Sequence, residues 1–290
     1  MFSKNKLGKG PGIFSIPDSN LLLYIFSCLA VIVILCILIG NYAFKNGLLT
    51  CDHYVFNTYL YIILAFMLMM LVILLNDKTG FFNSILMWIG GGSFLRFLLF
   101  LFIIIGIIIG LTYLLKTIDP KNILASNTVW LALVLVFGIL LIPIVWLGRL
   151  YGVVAMAVLI TICITIIIGL LGYYYGDKII TFDWDKYLMY ALLAVIIVSI
   201  IGPFLISRPE DWITFIYVIS AAMLVIFILL LLSNHKKLKE NADKCIDGQV
   251  TPNYPLESWQ LVIKIYQIFR STLNILAARK LSSGRKFKLR

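Results

Sequence analysis

The apolar stretch LESWQLVIKIYQIFRSTLNIL, residues 256–276, carries Lys264 and Arg270 in its middle. A lysine or arginine at the centre of a membrane span costs about 2.5–3.5 kcal/mol on insertion scales, so each needs a structural reason. Polar residues recur at Gln260, Lys264, Gln267, Ser271 and Asn274, in steps of 4, 3, 4 and 3 that align on one face of a helix. Arg270 sits beside that seam, next to Ser271 and one turn before Asn274. The chemistry open to the seam depends on its missing partner. No Asp or Glu falls within the earlier apolar runs, and Glu257 only begins this one. A proton relay or calcium pathway needs carboxylate oxygens at depth. Hydroxyls, amides and one ammonium instead suit an anion path, a tethered charge that blocks cations, or a purely structural core.

Other reactive residues are few. His53 and His235 could ligate haem, but both fall at the ends of apolar segments. Asp183 and Asp185 read as solvated interfacial carboxylates. Cys28, Cys36, Cys51, Cys163 and Cys245 are odd in number and scattered, with no C-x-x-C, and read as small packing residues rather than a disulfide framework or zinc site. No serine–histidine arrangement or glycine-rich phosphate loop is present, so an enzyme is not expected. No metal or cofactor is expected either.

The elements that must position these residues are membrane helices. The 290-residue chain is 62% hydrophobic and only 13% charged, with a mean hydropathy of +1.04, far from the balance of a soluble domain. Eight apolar segments can be read, at roughly 21–44, 57–75, 93–115, 127–148, 152–175, 187–206, 212–232 and 256–278. Most are long enough to span about 30 Å of hydrocarbon, and backbone groups in lipid must bond within their own segment, so these are helices. The polar seam predicts that 256–278 is a core helix surrounded by the others. Residues 146–152, WLGRLYG, predict a tight turn between antiparallel neighbours. Residues 233–255 read as one long polar connection. Small residues in IGGGSF (89–94) and GIIIG (106–110) permit close helix approach. The first run is too long for a signal-peptide core and reads as an anchor.

The net charge of +11 points to loops and tails facing anionic lipid rather than to nucleic acid. With eight spans both termini share one side, and that side carries more Lys and Arg. The positive-inside rule therefore favours termini in the cytoplasm or matrix.

The order of features resembles a known family. LLLLSNHKKLKENADKC, a polar loop, NYPLESWQLVIKIYQIFRSTLNIL and a basic tail look like the C-terminus of the transmembrane BAX-inhibitor-motif family, nearest its mitochondrial branch. LLIPIVWLGRLYG and YYYGDKIITFDWDKYLMYALLAVIIVSIIGPFLI are similar in segment length and in Gly, Pro and Lys placement, so the resemblance spans roughly 127–290. It implies an all-α polytopic membrane protein. A seven-helix bundle with a central last helix (57–278) would follow one extra N-terminal span (21–44), with basic tails at 1–20 and 279–290. It also implies a pair of aspartates forming a pH-sensitive calcium site. The first of those positions, Tyr-Asp in the family, reads Leu232-Ser233. The Asn-apolar-Phe element reads Gln267-Ile268-Phe269, which puts Lys264 at the second acid. Both acids are therefore expected to be lost, at Ser233 and Lys264.

These readings lead to the expectation of an accessory subunit of a mitochondrial inner-membrane assembly, of the respiratory chain, with other membrane subunits as partners. The alternative is an ion leak channel or exchanger of altered selectivity. Arg279, Lys280, Arg285, Lys286, Lys288 and Arg290 are expected to meet anionic phospholipid, cardiolipin in a mitochondrion. A solvated, unbound tail is the other reading.

Overall fold

A computed structural model describes residues 18–45, 47–80, 94–180, 184–206 and 208–288. The described chain begins with helix α1 (Asp18–Tyr42) and a two-residue ribbon, β1 (Phe44–Lys45) and β2 (Leu48–Leu49). The helices α2 (Tyr54–Thr79), α3 (Phe94–Thr117), α4 (Ile123–Tyr151), α5 (Val154–Ile179), α6 (Trp184–Leu205), α7 (Pro209–Ile246) and α8 (Tyr254–Lys288) follow. Seven of them are long and apolar enough to cross a membrane, and in α3 the stretch Phe102–Thr117 is a shorter apolar piece. The protein is an all-α polytopic membrane protein.

α8 lies at the centre. It packs against α2, α3, α4, α5 and α7, and 56% of its span is buried, against 0% for α6. The last helix thus takes the inner place that its polar seam predicts. Trp259, fully buried, anchors it: Phe137 of α4 meets the indole edge-on at 4.8 Å between centroids, and its Nε1 donates to Thr112 Oγ1 of α3 at 3.2 Å. One residue earlier, Trp130 Nε1 donates to Ser258 Oγ at 3.0 Å. Each buried indole N–H is therefore satisfied in a region where water would not serve it. α1 packs on α2 through Leu21, Ile25, Cys28 and Leu74.

Several expectations are corrected. Residues 233–246 are not loop but the last turns of α7, which is 38 residues long and so about 57 Å. Leu238, Ala242 and Cys245 are its buried apolar residues there, spaced 4 and 3 apart, so this polar-looking stretch is an amphipathic helix. Only 247–253 connects it to α8, with Gly248 at φ +71°. The C-terminal tail is likewise helical to Lys288. Cys51 and Cys245 are joined in a disulfide, with Cα atoms 5.6 Å apart. They are not mere packing residues, and a separation of 194 residues left no sign of this in the spacing. Cys28 is buried, whereas Cys36 and Cys163 are exposed.

The turn at Gly152 (φ +60°) is as tight as expected, yet α5 leaves α4 to pack mainly on α7. A row of glycines on α5 permits this. A Cβ on Gly172 would lie 2.6 Å from His235 Cβ, and one on Gly176 would lie 2.9 Å from Lys236 Cβ. Gly106 and Gly110 have nothing within 4 Å, so the GIIIG element makes no close approach. Residues 89–93 lie outside the described residues. At the end of the bundle bearing the α4–α5 turn, Arg149 grips Asp77 of α2 with two bonds of 2.8 and 2.7 Å.

Candidate functional site: a charged layer between α6, α7 and α8

α7 and α8 form an antiparallel hairpin. Asn241 Nδ2 donates to Glu257 Oε1 at 2.8 Å. Seven residues further along α8 stands Lys264, opposite Asn234, seven residues back on α7. The two helices thus bring Lys264 level with Ser233 and Lys237. Where the chain enters α6, Asp185 joins them: Lys237 Nζ donates to Asp185 Oδ2, and the Ser233 hydroxyl bonds the same carboxylate. Asp185 and Glu257 face Lys264 with opposite charge, while Lys237 and Lys116 of α3 face it with like charge.

This arrangement corrects the expectation that Lys264 stands without an acid. Asp185 is not a solvated loop residue, for its side chain is only 22% exposed. It supplies a carboxylate from a third helix to the layer where the resemblance placed two acids on α7 and α8. Glu257 stands two helical turns before Lys264, on the same face, a signal that the sequence did contain. Asp183 lies outside the described residues.

The remaining seam residues divide. Ser271 is buried, and Gln260, Lys264, Gln267 and Asn274 are partly buried. Arg270 is exposed, so it does not belong to the inward seam. At 100° per residue it lies about 120° round the helix from Lys264. Ser233 is buried at 4% exposure. Arg279 and Lys280 are exposed, and Lys280 Nζ reaches the Tyr151 carbonyl at 2.5 Å. The side chains of Arg285, Lys286, Lys288 and Arg290 lie outside the described residues.

His235, which sequence reasoning placed at a segment end, is 2% exposed inside α7. Its Nδ1 lies 2.8 Å from the Leu231 carbonyl, while Nε2 is buried with no hydrogen-bond partner among the described residues. A Cβ on Gly169 would meet both Nε2, at 3.2 Å, and Tyr59 Oη, at 3.0 Å. The imidazole therefore occupies the space that the missing glycine side chain leaves. Asp185 Oδ1 is likewise buried with no hydrogen-bond partner among the described residues. Among the described residues, no group of three or more His, Cys, Asp or Glu side chains could hold a metal ion.

The layer can hold charge, since acids and bases alternate across three helices, and it retains two open hydrogen-bonding positions. A comparison with curated proteins finds no match. A comparison with protein families matches residues 51–280, from the last residues of the α1–α2 connector through most of α8, to the family described as Inhibitor of apoptosis-promoting Bax1. With most of its length in that match, and with a bundle of membrane-spanning helices around a central last one, the chain belongs to the BAX-inhibitor family.

Proposed function

We propose that the chain is a non-enzymatic, membrane-embedded subunit of a larger assembly, built on a BAX-inhibitor fold whose acidic ion site has become a charge-compensated support. The supporting observation is the pairing in the layer: Asp185 is engaged by Lys237 and Ser233, and Lys264 adds a further ammonium beside it. A divalent cation entering there would meet Lys116, Lys237 and Lys264 against Asp185 and Glu257. Its repulsion from three like charges must be overcome before either acid can bind it. The partners on this reading are other membrane subunits. Arg279 and Lys280, exposed at the end of α8, are set to meet anionic phospholipid, at about 1 kcal/mol per charge near the surface. The resemblance to the mitochondrial branch favours the inner mitochondrial membrane, and a respiratory-chain assembly within it.

Calcium flux in liposomes tests the site. The wild-type protein is expected to give negligible flux, and Lys264→Asp, which restores an acid at that position, to raise it. Robust calcium flux from the wild type would refute the proposal. Purification in mild detergent tests the assembly, since a chain that always migrates alone cannot be such a subunit.

A second reading, an ion leak of altered selectivity, is favoured by the two orphaned atoms, Asp185 Oδ1 and His235 Nε2. Buried polar atoms without protein partners call for water or an ion. Chloride or proton flux from the wild type, abolished by Lys264→Met, would favour this reading over the first.

A further inference from the structure

The disulfide lies at the opposite end of α7 from its first turn, and it borders an open cleft. We propose that Cys51–Cys245 is an exchangeable disulfide, opened by a low-molecular-weight, zwitterionic peptide thiol that binds in this cleft. The cleft, of about 580 Å³, is lined by Tyr42, Lys45, Cys51, Asp52, His53 and Ile246 among others. That volume suits a small peptide.

Three features of the cleft point to this ligand. The first is an asymmetry of access. Cys51 forms part of the wall and is partly exposed, whereas Cys245 is only 3% exposed. An incoming thiolate reaches the Cys51 sulfur and expels that of Cys245. The second is a pair of opposite charges on the rim. Lys45 and Asp52 lie 3.7 Å apart and are 74% and 64% exposed. Such a pair holds itself together weakly, so its members are free to take the carboxylate and the ammonium of a zwitterion. The third is His53, a left-handed non-glycine residue at φ 55° and ψ 36° whose ring abuts Tyr42 edge-on at 6.0 Å. Backbone strain of this kind collects at working sites. The His53 imidazole can accept a proton from an incoming thiol.

The exchange balances in two steps. A thiolate RS⁻ attacks Cys51 Sγ, the Cys51–Cys245 bond breaks, and Cys245 leaves as thiolate while Cys51–S–S–R forms. A second RS⁻ attacks the R sulfur, giving RSSR and the Cys51 thiolate. Two electrons pass from the two thiols to the protein disulfide, and the two protons released by the thiols end on Cys51 and Cys245.

The reduced state loosens a cap. The connector between α1 and α2 is otherwise held to the bundle by Asn57 Nδ2, which donates to the Tyr42 and Asp52 carbonyls at 3.0 Å each, and by Tyr254 Oη, which donates to the Thr50 carbonyl. Opening the disulfide leaves these uncharged bonds, and the packing of Ala43, Phe44 and Leu49 on the core, to hold the connector over the start of α8.

The test uses the full chain in lipid nanodiscs, with Cys28, Cys36 and Cys163 replaced by serine. Reduced glutathione and 2-mercaptoethanol are compared at equal thiolate concentration, and adducts are mapped by mass spectrometry. Glutathione is expected to open the bond several-fold faster than mercaptoethanol, with the adduct on Cys51 alone. Lys45→Glu is expected to remove that advantage and leave the mercaptoethanol rate unchanged. The inference is overturned if the pair does not form, if the bond resists glutathione until the protein unfolds, if the adduct sits on Cys245, or if both thiols react equally and ignore Lys45→Glu.

Discussion

Replacing Gly172 by alanine asks whether α5 truly rests on the layer that holds His235 and Lys236. The added Cβ would lie 2.6 Å from His235 Cβ and 2.9 Å from the Leu232 carbonyl oxygen. Neither atom is the far end of a flexible side chain. Carbon atoms in contact prefer about 3.5–4.0 Å, so α5 must retreat from α7 by about 1 Å, or α7 must bend. Overpacking of this kind costs about 1–3 kcal/mol. The same substitution brings a helix-propensity gain of up to about 1 kcal/mol, which blurs the reading of one variant alone. Gly106→Ala is the matched control, because nothing lies within 4 Å of its position and it receives the propensity gain without the clash. The difference between the two variants isolates the packing cost, expected at about 1–3 kcal/mol. Denaturant unfolding of both in one detergent measures it. Equal midpoints for Gly172→Ala and Gly106→Ala would refute the close approach of α5 and α7.

Three further outcomes are expected. Asp77→Ala strands an Arg149 whose side chain is only 27% exposed, and should lower stability by about 1.5–3 kcal/mol; Asp52→Ala, which breaks the exposed pair with Lys45, should leave the unfolding midpoint unchanged. His53→Gly should leave stability equal or higher, since relief of the left-handed backbone, about 1–2 kcal/mol, offsets loss of the ring contact with Tyr42. A clear fall in its unfolding midpoint would contradict that strain. Joint replacement of Cys51 and Cys245 by serine removes a link across 194 residues. Its cost is bounded by about 5 kcal/mol on the chain-entropy account and should be smaller in detergent, where the unfolded chain keeps helices. Unfolding of oxidised wild type beside the double variant measures it.

The helices were legible because lipid enforces a simple rule: an apolar run of sufficient length has to satisfy its own backbone. The inward turn of α8 was legible for a related reason, as Gln260, Lys264, Gln267, Ser271 and Asn274 share one stripe. Hydropathy failed where a helix leaves the apolar regime. Residues 233–246 carry four lysines and looked like a loop, yet Leu238, Ala242 and Cys245 mark a buried face. Contacts between distant segments were not legible at all. Nothing in the spacing of five cysteines pairs 51 with 245, and nothing in the run around Asp185 aims it at Lys237. Arg270, on the edge of the stripe one turn before Asn274, is exposed, because the buried face of α8 ends short of it. Glu257 was the recoverable omission, seven residues before Lys264 and therefore above it.

The charged layer also separates inheritance by position from inheritance by place. Judged at the matching positions, the resemblance leaves a serine on α7 and a lysine on α8, and the acids look lost. Judged in space, the layer has a carboxylate again, delivered by α6, and a second one, Glu257, on the seam itself. What differs is the company they keep. An ion site built from two acids on facing helices has unmet negative charge, which a cation can satisfy. Here Lys237 already bonds one oxygen of Asp185, and Lys264 feels the opposite charges of Asp185 and Glu257 together with the like charges of Lys237 and Lys116. Removing Asp185 leaves the partly buried Lys264 less compensated, although Lys237, 54% exposed, can turn to solvent. The set is therefore suited to hold α6, α7 and α8 in fixed register, and the proposed structural role follows from that arithmetic of charge. Asp185→Asn is the variant that distinguishes this account from an ion pathway. It should loosen α6 from α7 and lower stability without creating cation flux, whereas a conducting site would lose flux and keep its fold.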